Sequence, residues 1–152
     1  MLNTNPILLV EDDNVNAMAV IRVFNNLSIP KLVVHLRNGE ESLKYLSDNT
    51  FEKPDLILLD LNMPRMNSIE FLRIIKGDFV LRSIPVVIFT TSDDQRDIDE
   101  CFDLNVAGYI IKPFDLELFE EMIRAVATYW SYSELPKRQE KRNWYKILTS
   151  MR

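Results

Sequence analysis

Short apolar runs alternate with longer amphipathic segments along most of this chain. Runs of four or five aliphatic or β-branched residues are typical of buried strands, and apolar residues three or four apart are typical of helices. The predicted strands are Ile7–Val10, Leu32–Leu36, Leu56–Leu59, Val86–Thr90 and Tyr109–Ile111. The predicted helices are Val15–Leu27, Glu40–Leu46, Ser68–Lys76, Gln95–Asn105 and Asp115–Tyr132. This alternation predicts an α/β fold in which helices cover a parallel sheet.

The composition narrows the class of protein. The 152 residues are 47% hydrophobic and 27% charged, which is typical of a globular chain with one buried core. The single cysteine, Cys101, excludes an intramolecular disulfide, and no segment has the pattern of a signal peptide or a membrane span. The net charge of −5 argues against general nucleic-acid binding. We therefore expect a cytoplasmic protein that binds neither DNA nor a membrane.

Polar residues suited to catalysis or metal binding stand at the carboxyl ends of the predicted strands. Glu11 and Asp12 follow the first strand, and Asp60 follows the third. Thr90 ends the fourth strand, and Lys112 follows the fifth. Because the carboxyl ends of parallel strands lie at one edge of the sheet, these side chains are expected to form one pocket. Carboxylates suit Mg²⁺, which proteins hold together with phosphate oxygens and water, so the pattern predicts phosphoryl transfer to Asp60.

Each of these residues also has a purely structural interpretation. An acidic pair after a strand can simply begin a helix, whose dipole attracts negative charge. Asp60 could be a turn residue, Lys112 a surface lysine and Thr90 the end of a strand. Their joint position at strand ends favours the functional interpretation. The single histidine, His35, lies in an edge-strand pattern, for which we expect a surface or packing role.

Four motifs resemble the receiver domains of two-component response regulators, over about residues 6–129. They are Ile7–Asp13, Asp55–Pro64, Pro85–Ser92 and Gly108–Pro113. The resemblance implies a flavodoxin-like, doubly wound sheet of five parallel strands in the order 2-1-3-4-5. It also implies a signalling protein rather than an enzyme. Such a protein accepts a phosphoryl group from a sensor histidine kinase and then changes its contacts with a downstream protein. The segment Met63–Asn67 and the pair Tyr129–Trp130 are most similar to stand-alone regulators paired with bacterial phytochromes.

The resemblance assigns roles in phosphoryl transfer position by position. Asp60 matches the phospho-acceptor, Thr90 the hydroxyl that bonds a phosphoryl oxygen, and Lys112 the cation that pairs with another. Tyr109 matches the aromatic residue that moves inward with Thr90 when the domain is activated. The bond between Lys112 and Pro113 matches a cis peptide, which proline tolerates.

The resemblance also implies a Mg²⁺ site in which Mn²⁺ is expected to substitute. Asp12 and Asp60 match direct ligands, and Glu11 matches a ligand acting through water. Asn62 matches the residue whose backbone carbonyl completes the site. One departure is Ser68, which stands where the family usually has glycine. We expect Ser68 to be the first helical residue, where serine costs little.

Two other functions remain as alternatives. The first is a Mg²⁺-dependent aspartyl phosphatase, which commonly needs a second acid two residues after the nucleophile. That position is Asn62, which cannot protonate a leaving group. The second alternative is an adaptor that uses a receiver scaffold without phosphorylation.

The last part of the chain differs in composition from the rest. Residues 1–133 are predicted to form the receiver domain and residues 134–152 a basic tail, which from Pro136 onward has six basic residues and one acidic residue. No output domain is expected to follow. The fifth predicted helix has two apolar rows, of which one suffices to seat it on the sheet. We therefore predict a homodimer through the C-terminal face, although the tail could instead cover that face within one chain. The predicted interface residues are Met122, Tyr129, Trp130 and Trp144.

Overall fold

The computed structural model describes residues 5–27, 31–63 and 67–136, which fold as a parallel sheet covered by helices. The strands are β1 (Ile7–Val10), β2 (Val33–Leu36), β3 (Leu56–Leu59), β4 (Val86–Thr90) and β5 (Gly108–Ile111). The helices are α1 (Asn14–Asn25), α2 (Gly39–Ser47), α3 (Ser68–Gly77), α4 (Gln95–Asp103) and α5 (Leu116–Tyr132). A short 3-10 helix, Leu81–Ser83, precedes β4. The strand order over these residues is β2-β1-β3-β4-β5, which confirms the predicted doubly wound topology.

The two faces of the sheet belong to two buried clusters. Because side chains alternate along a strand, Leu9 and Leu58 face one side and Leu8 and Ile57 the other. The first side packs against α1 and α5, and the second packs against α2, α3 and α4. All residues of β1 and β3 are buried, whereas β2 and β5 are only partly covered. The central strands are therefore the apolar ones, as their composition predicts.

Each of the five α-helices in the described residues is preceded by an aspartate or asparagine whose side chain accepts a hydrogen bond from a backbone N–H of the first turn. These N-caps are Asp13, Asn38, Asn67, Asp94 and Asp115. Such caps satisfy amide groups that have no partner within the helix. Asp13 therefore begins α1 as its N-cap, which is the structural role that we considered for the acidic cluster. Glu11 and Asp12 do not cap this helix and are left for other contacts.

The predicted element ends are wrong by one or two residues at several positions. Helix α1 ends at Asn25 rather than Leu27, and α4 ends at Asp103 rather than Asn105. Asn105 has a positive φ of 61°, a left-handed conformation that asparagine tolerates and that cannot continue a helix. Strand β2 begins at Val33, and Leu32 before it is exposed. None of the helices in the described ranges combines the length and apolar character of a membrane span.

Candidate functional site

Three carboxylates meet at the carboxyl edge of the sheet. Strands β1 and β3 are adjacent, with Val10 opposite Leu59, so the residues that follow them emerge side by side. The Asp60 amide donates to the Val10 carbonyl at 3.0 Å, which extends this pairing by one residue. Carboxylate oxygens of Glu11, Asp12 and Asp60 lie within 4.8 Å of one another. The structure thus brings together the acidic residues that the sequence places at two strand ends.

Lys112 closes the site from β5. Its ammonium Nζ lies 2.6 Å from Glu11 Oε2 and 3.1 Å from Asp60 Oδ2. The three side chains are buried, with 6% of the Lys112 side chain exposed and 4% and 6% of the Glu11 and Asp60 side chains. Removing charges from water is costly unless they are paired, so the lysine offsets part of the cost of burying two carboxylates.

The site carries more negative charge than Lys112 alone neutralises. When Glu11, Asp12 and Asp60 are all ionised, they exceed the single lysine by two charges. Burial, together with the negative charge of Asp60, raises the pKa of Glu11 to about 7, although the bond to Lys112 acts in the opposite direction. Oxygen ligands at this separation and a deficit of two positive charges fit a divalent cation such as Mg²⁺.

The loop after β3 connects Asp60 to β4. The Asn62 amide donates to Asp60 Oδ1 at 3.1 Å, so both oxygens of the Asp60 carboxylate have partners. The Asn62 side chain reaches across to the next strand and donates to Thr91 Oγ1 at 3.0 Å and Thr90 Oγ1 at 3.4 Å. Through these contacts, Asn62 links the predicted acceptor Asp60 to the predicted hydroxyl residue Thr90 at the end of β4.

The two predicted switch residues, Thr90 and Tyr109, each form a hydrogen bond with the backbone of Ser92. Thr90 is completely buried, and its Oγ1 accepts the Ser92 amide at 3.3 Å. The Tyr109 hydroxyl donates to the Ser92 carbonyl at 2.8 Å, and its ring packs against the buried cluster under α3 and α4. Burial raises the pKa of Tyr109, so its hydroxyl stays protonated as a donor at neutral pH. Ser92 therefore connects the two residues, so a displacement of the Thr90 hydroxyl would disturb the hydrogen bond of Tyr109.

Two contacts at the site were not foreseen from the sequence. His35 Nε2 lies 2.6 Å from the Glu11 carbonyl, and because a carbonyl can only accept, this nitrogen carries the proton. Ser68 is the first residue of α3, as expected, but its hydroxyl donates to the Asp60 carbonyl at 2.6 Å. The predicted adjacency of β1 and β2 is the signal that could have placed His35 near the end of β1, and in the sheet His35 lies opposite Leu9.

The cis peptide expected at Lys112–Pro113 is wrong. Among the described residues no peptide bond is cis, and this bond is trans. The trans isomer of a bond before proline is favoured by about 0.5–1 kcal/mol, so proline permits the cis form without selecting it.

Helix α5 separates the predicted interface residues into two groups. Tyr129 is 64% exposed and lies in the outer row, whereas Met122 is half-buried and packs against the core. Trp130 is half-buried, packs against the core and contacts the Tyr129 ring edge-to-face, with centroids 5.0 Å apart. Trp130 therefore helps to pack α5 against the sheet, and only part of its surface is left for an interface. Trp144 lies outside the described residues.

Comparison with known proteins agrees with this geometry. The model of the response regulator receiver domain matches residues 7–124. The chain is 36% identical over 127 residues to the probable methanogenesis regulatory protein FilR2 of Methanothrix harundinacea, covering 82% of each chain. It is 33% identical over 128 residues to the response regulator Rcp1 of Synechocystis sp., covering 82% of this chain and 87% of Rcp1. The chain belongs to the receiver domain family of response regulators.

Solved structures give the same result in three dimensions. The phosphorylated cyanobacterial phytochrome response regulator RcpA superposes with a TM-score of 0.85 at 34% identity, covering 89% of this chain and 100% of RcpA. The Mn²⁺-bound form of Rcp1 has a TM-score of 0.83 at 32% identity, covering 87% of this chain and 99% of Rcp1. The family, the fold and the general role as a phosphorylation-accepting signalling domain follow from these matches.

Proposed function

We propose that Asp60 accepts a phosphoryl group from a sensor histidine kinase in the cytoplasm. The observation that carries this proposal is the convergence of Asp60 with two further carboxylates and Lys112 at one buried point. An Asp60 oxygen would attack phosphorus, and the bond from phosphorus to the kinase histidine would break, leaving its electron pair on the imidazole nitrogen. The product is an acyl phosphate on Asp60.

The surrounding residues would bind and orient the transferred group. Asp12, Asp60 and the Asn62 carbonyl would hold Mg²⁺, with Glu11 acting through water. Mn²⁺ would bind the same oxygen ligands. The bound metal supplies positive charge to the phosphoryl oxygens. Lys112, 3.1 Å from Asp60, would pair with one phosphoryl oxygen, and the Thr90 hydroxyl would donate to another.

The switch would pass from Thr90 to Tyr109. When the Thr90 hydroxyl moves toward the phosphoryl group, its bond with the Ser92 amide changes, and the Ser92 carbonyl holds the Tyr109 hydroxyl. A loop that changed between this hydrogen-bonded arrangement and a second one would be a bistable element, which converts a local charge into a new surface. The altered surface would then recruit a downstream protein.

The acceptor is tested by incubating the protein with acetyl phosphate and Mg²⁺ and measuring its mass. The wild type should gain one phosphoryl group, and Asp60→Asn should gain none while keeping its fold. Asp13→Asn is a matched control, because Asp13 lies next to the acidic cluster but caps α1, and asparagine is an equally good cap. Undiminished uptake by Asp60→Asn would refute the assignment.

The same experiment distinguishes the alternatives. An aspartyl phosphatase would hydrolyse small phosphoesters continuously, but Asn62 provides no acid and its side-chain amide donates to threonine hydroxyls. A phosphorylation-independent adaptor would show no mass change in the wild type. We regard the buried carboxylate–lysine site as support for phosphorylation over both, because an adaptor has no need to bury these charges.

We also propose that the partner kinase is of the phytochrome type. Support comes from the likeness to the phytochrome response regulator RcpA and to the bacteriophytochrome response regulator AtBRR, with TM-scores of 0.85 and 0.68. Transfer from a purified phytochrome kinase should be faster than from unrelated histidine kinases at equal concentration. Equal rates for all kinases would refute this pairing.

A homodimer through α5 is the assembly we propose. Leu118 and Tyr129 are exposed at 41% and 64%, and Met122 between them is partly exposed. Exposed apolar rows usually mark an interface, and twofold pairs are the commonest soluble oligomers. Light scattering should give a dimer mass for the full chain, and Leu118→Glu should reduce it. Light scattering on a chain that ends at Ser133 tests whether the dimer needs the basic tail. A monomeric mass for the full chain, with and without phosphorylation, would refute the dimer.

A further inference from the structure

Ser68 joins the start of α3 to the main chain of Asp60. Its hydroxyl donates a 2.6 Å hydrogen bond to the Asp60 carbonyl oxygen. Ser68 is completely buried, at 0% exposure, so water does not compete for this bond. A buried hydrogen bond is electrostatically stronger than one in water, and its geometry is correspondingly well defined.

This bond orients the peptide unit that follows Asp60. The Asp60 amide is already held by the Val10 carbonyl, so the Ser68 bond gives a partner to the other polar group of the same backbone. The Asp60 carbonyl belongs to the peptide unit shared with Leu61. The next amide, that of Asn62, donates to Asp60 Oδ1 at 3.1 Å. Rotation of the intervening peptide unit would therefore move the Asn62 backbone away from the carboxylate.

We infer that Ser68 is a positioning residue for phosphoryl transfer and metal binding at Asp60. The inference rests on the proposed function, in which Asp60 accepts the phosphoryl group and the Asn62 carbonyl completes the Mg²⁺ site. Ser68 acts through the backbone and has no contact with the transferred group. Loss of its hydroxyl should weaken Mg²⁺ binding and slow phosphorylation by about tenfold each, the scale found when partners of metal ligands are removed.

The experiment compares variants with and without the hydroxyl. Ser68→Ala and Ser68→Gly remove it, and Ser68→Thr retains it. Ser42→Ala is the matched control, because Ser42 is also 0% exposed and donates to a carbonyl, that of Asn38, at 2.8 Å. For each protein we would measure the Mg²⁺ dissociation constant by calorimetry, the rate of phosphorylation by acetyl phosphate, and the free energy of unfolding without metal.

The expected result separates positioning from general stability. Ser68→Ala and Ser68→Gly should lose Mg²⁺ affinity and rate by similar factors, even though glycine and alanine differ in helix propensity and hence in stability. Ser68→Thr should stay within about twofold of the wild type, because its hydroxyl can make the same bond. Ser42→Ala should lose stability while its Mg²⁺ affinity and rate are unchanged. If Ser68→Ala does not fold, Ser68→Gly provides the same comparison.

Two results would overturn the inference. The first is a Ser68→Ala protein whose Mg²⁺ affinity and rate equal those of Ser42→Ala. The second is a Ser68→Thr protein that is as stable as the wild type yet as impaired as Ser68→Ala, which would show that the hydroxyl does not position the site. A wild type that takes up no phosphoryl group would overturn the proposed function and this inference with it. The wild-type measurement thus distinguishes failure of the function from failure of the Ser68 role.

Discussion

Glu11 is the carboxylate whose ionisation we expect to destabilise the metal-free protein. Its side chain is buried, and burial is the main cause that raises its pKa from 4.5 to about 7. Because the folded pKa lies above the unfolded one, the folded protein binds an additional proton between these two pH values. The free energy of unfolding should therefore fall as the pH rises from about 4.5 to about 7. This is opposite to the behaviour of a carboxylate whose pKa is lowered by folding.

The size of the effect follows from the pKa difference. One pKa unit corresponds to about 1.4 kcal/mol, so a rise from 4.5 to about 7 predicts a loss of roughly 3 kcal/mol. Folded domains are stable by only about 5–15 kcal/mol, so this loss is easily measured. Glu11→Gln resembles the protonated glutamic acid at every pH, and Lys112 keeps its contact with Asp60 at 3.1 Å. The variant should equal the wild type near pH 4.5 and exceed it by up to about 3 kcal/mol above pH 7.

The assay is urea unfolding followed by circular dichroism across this pH range, with a chelator present. Glu121→Gln removes an exposed carboxylate from α5 and serves as the control, for which the difference from the wild type should not change with pH. A constant difference between the wild type and Glu11→Gln would refute the reasoning. A wild type that gains stability over the variant as the pH rises would show that attraction to Lys112 outweighs burial.

Three further changes test other parts of the molecule. The Tm of Asp12→Ala should rise less than that of the wild type when Mg²⁺ is added, because the stabilisation by a ligand increases with the logarithm of its affinity for the folded protein. An equal rise would show that Asp12 is not a ligand. Thr90→Ala should still be phosphorylated by acetyl phosphate but should lose phosphorylation-dependent binding or assembly. A normal response in a pull-down or in light scattering would remove Thr90 from the switch. The Lys31 ammonium lies 2.8 Å from the buried Asp55 carboxylate. Lys31→Met removes this cation and should lower the free energy of unfolding, measured in urea, by about 3–5 kcal/mol. Asp55→Asn in the same chain should recover part of the loss, and no recovery would contradict this explanation.

Most of the fold could be predicted from the sequence because its signals are local. The five strands were each found within one residue of their observed ends, since short apolar runs between polar segments depend little on distant contacts. The carboxyl ends of parallel strands share one edge whatever the details of packing. For this reason the sequence alone assigns Glu11, Asp60 and Lys112 to one pocket. The helix ends were less predictable, because caps and left-handed residues such as Asn105 decide them.

The sequence by itself therefore determined the order of elements and the edge of the sheet at which the chemistry lies. Only the tertiary structure decided which atoms meet there. The Lys112 ammonium contacts Glu11 as well as Asp60, His35 holds the Glu11 carbonyl, and Ser68 holds the Asp60 carbonyl. These contacts join residues on different elements, and a shift of about 1 Å would break any of them. Hydrophobic periodicity locates an element to within a residue, whereas a hydrogen bond needs its atoms placed within tenths of an ångström.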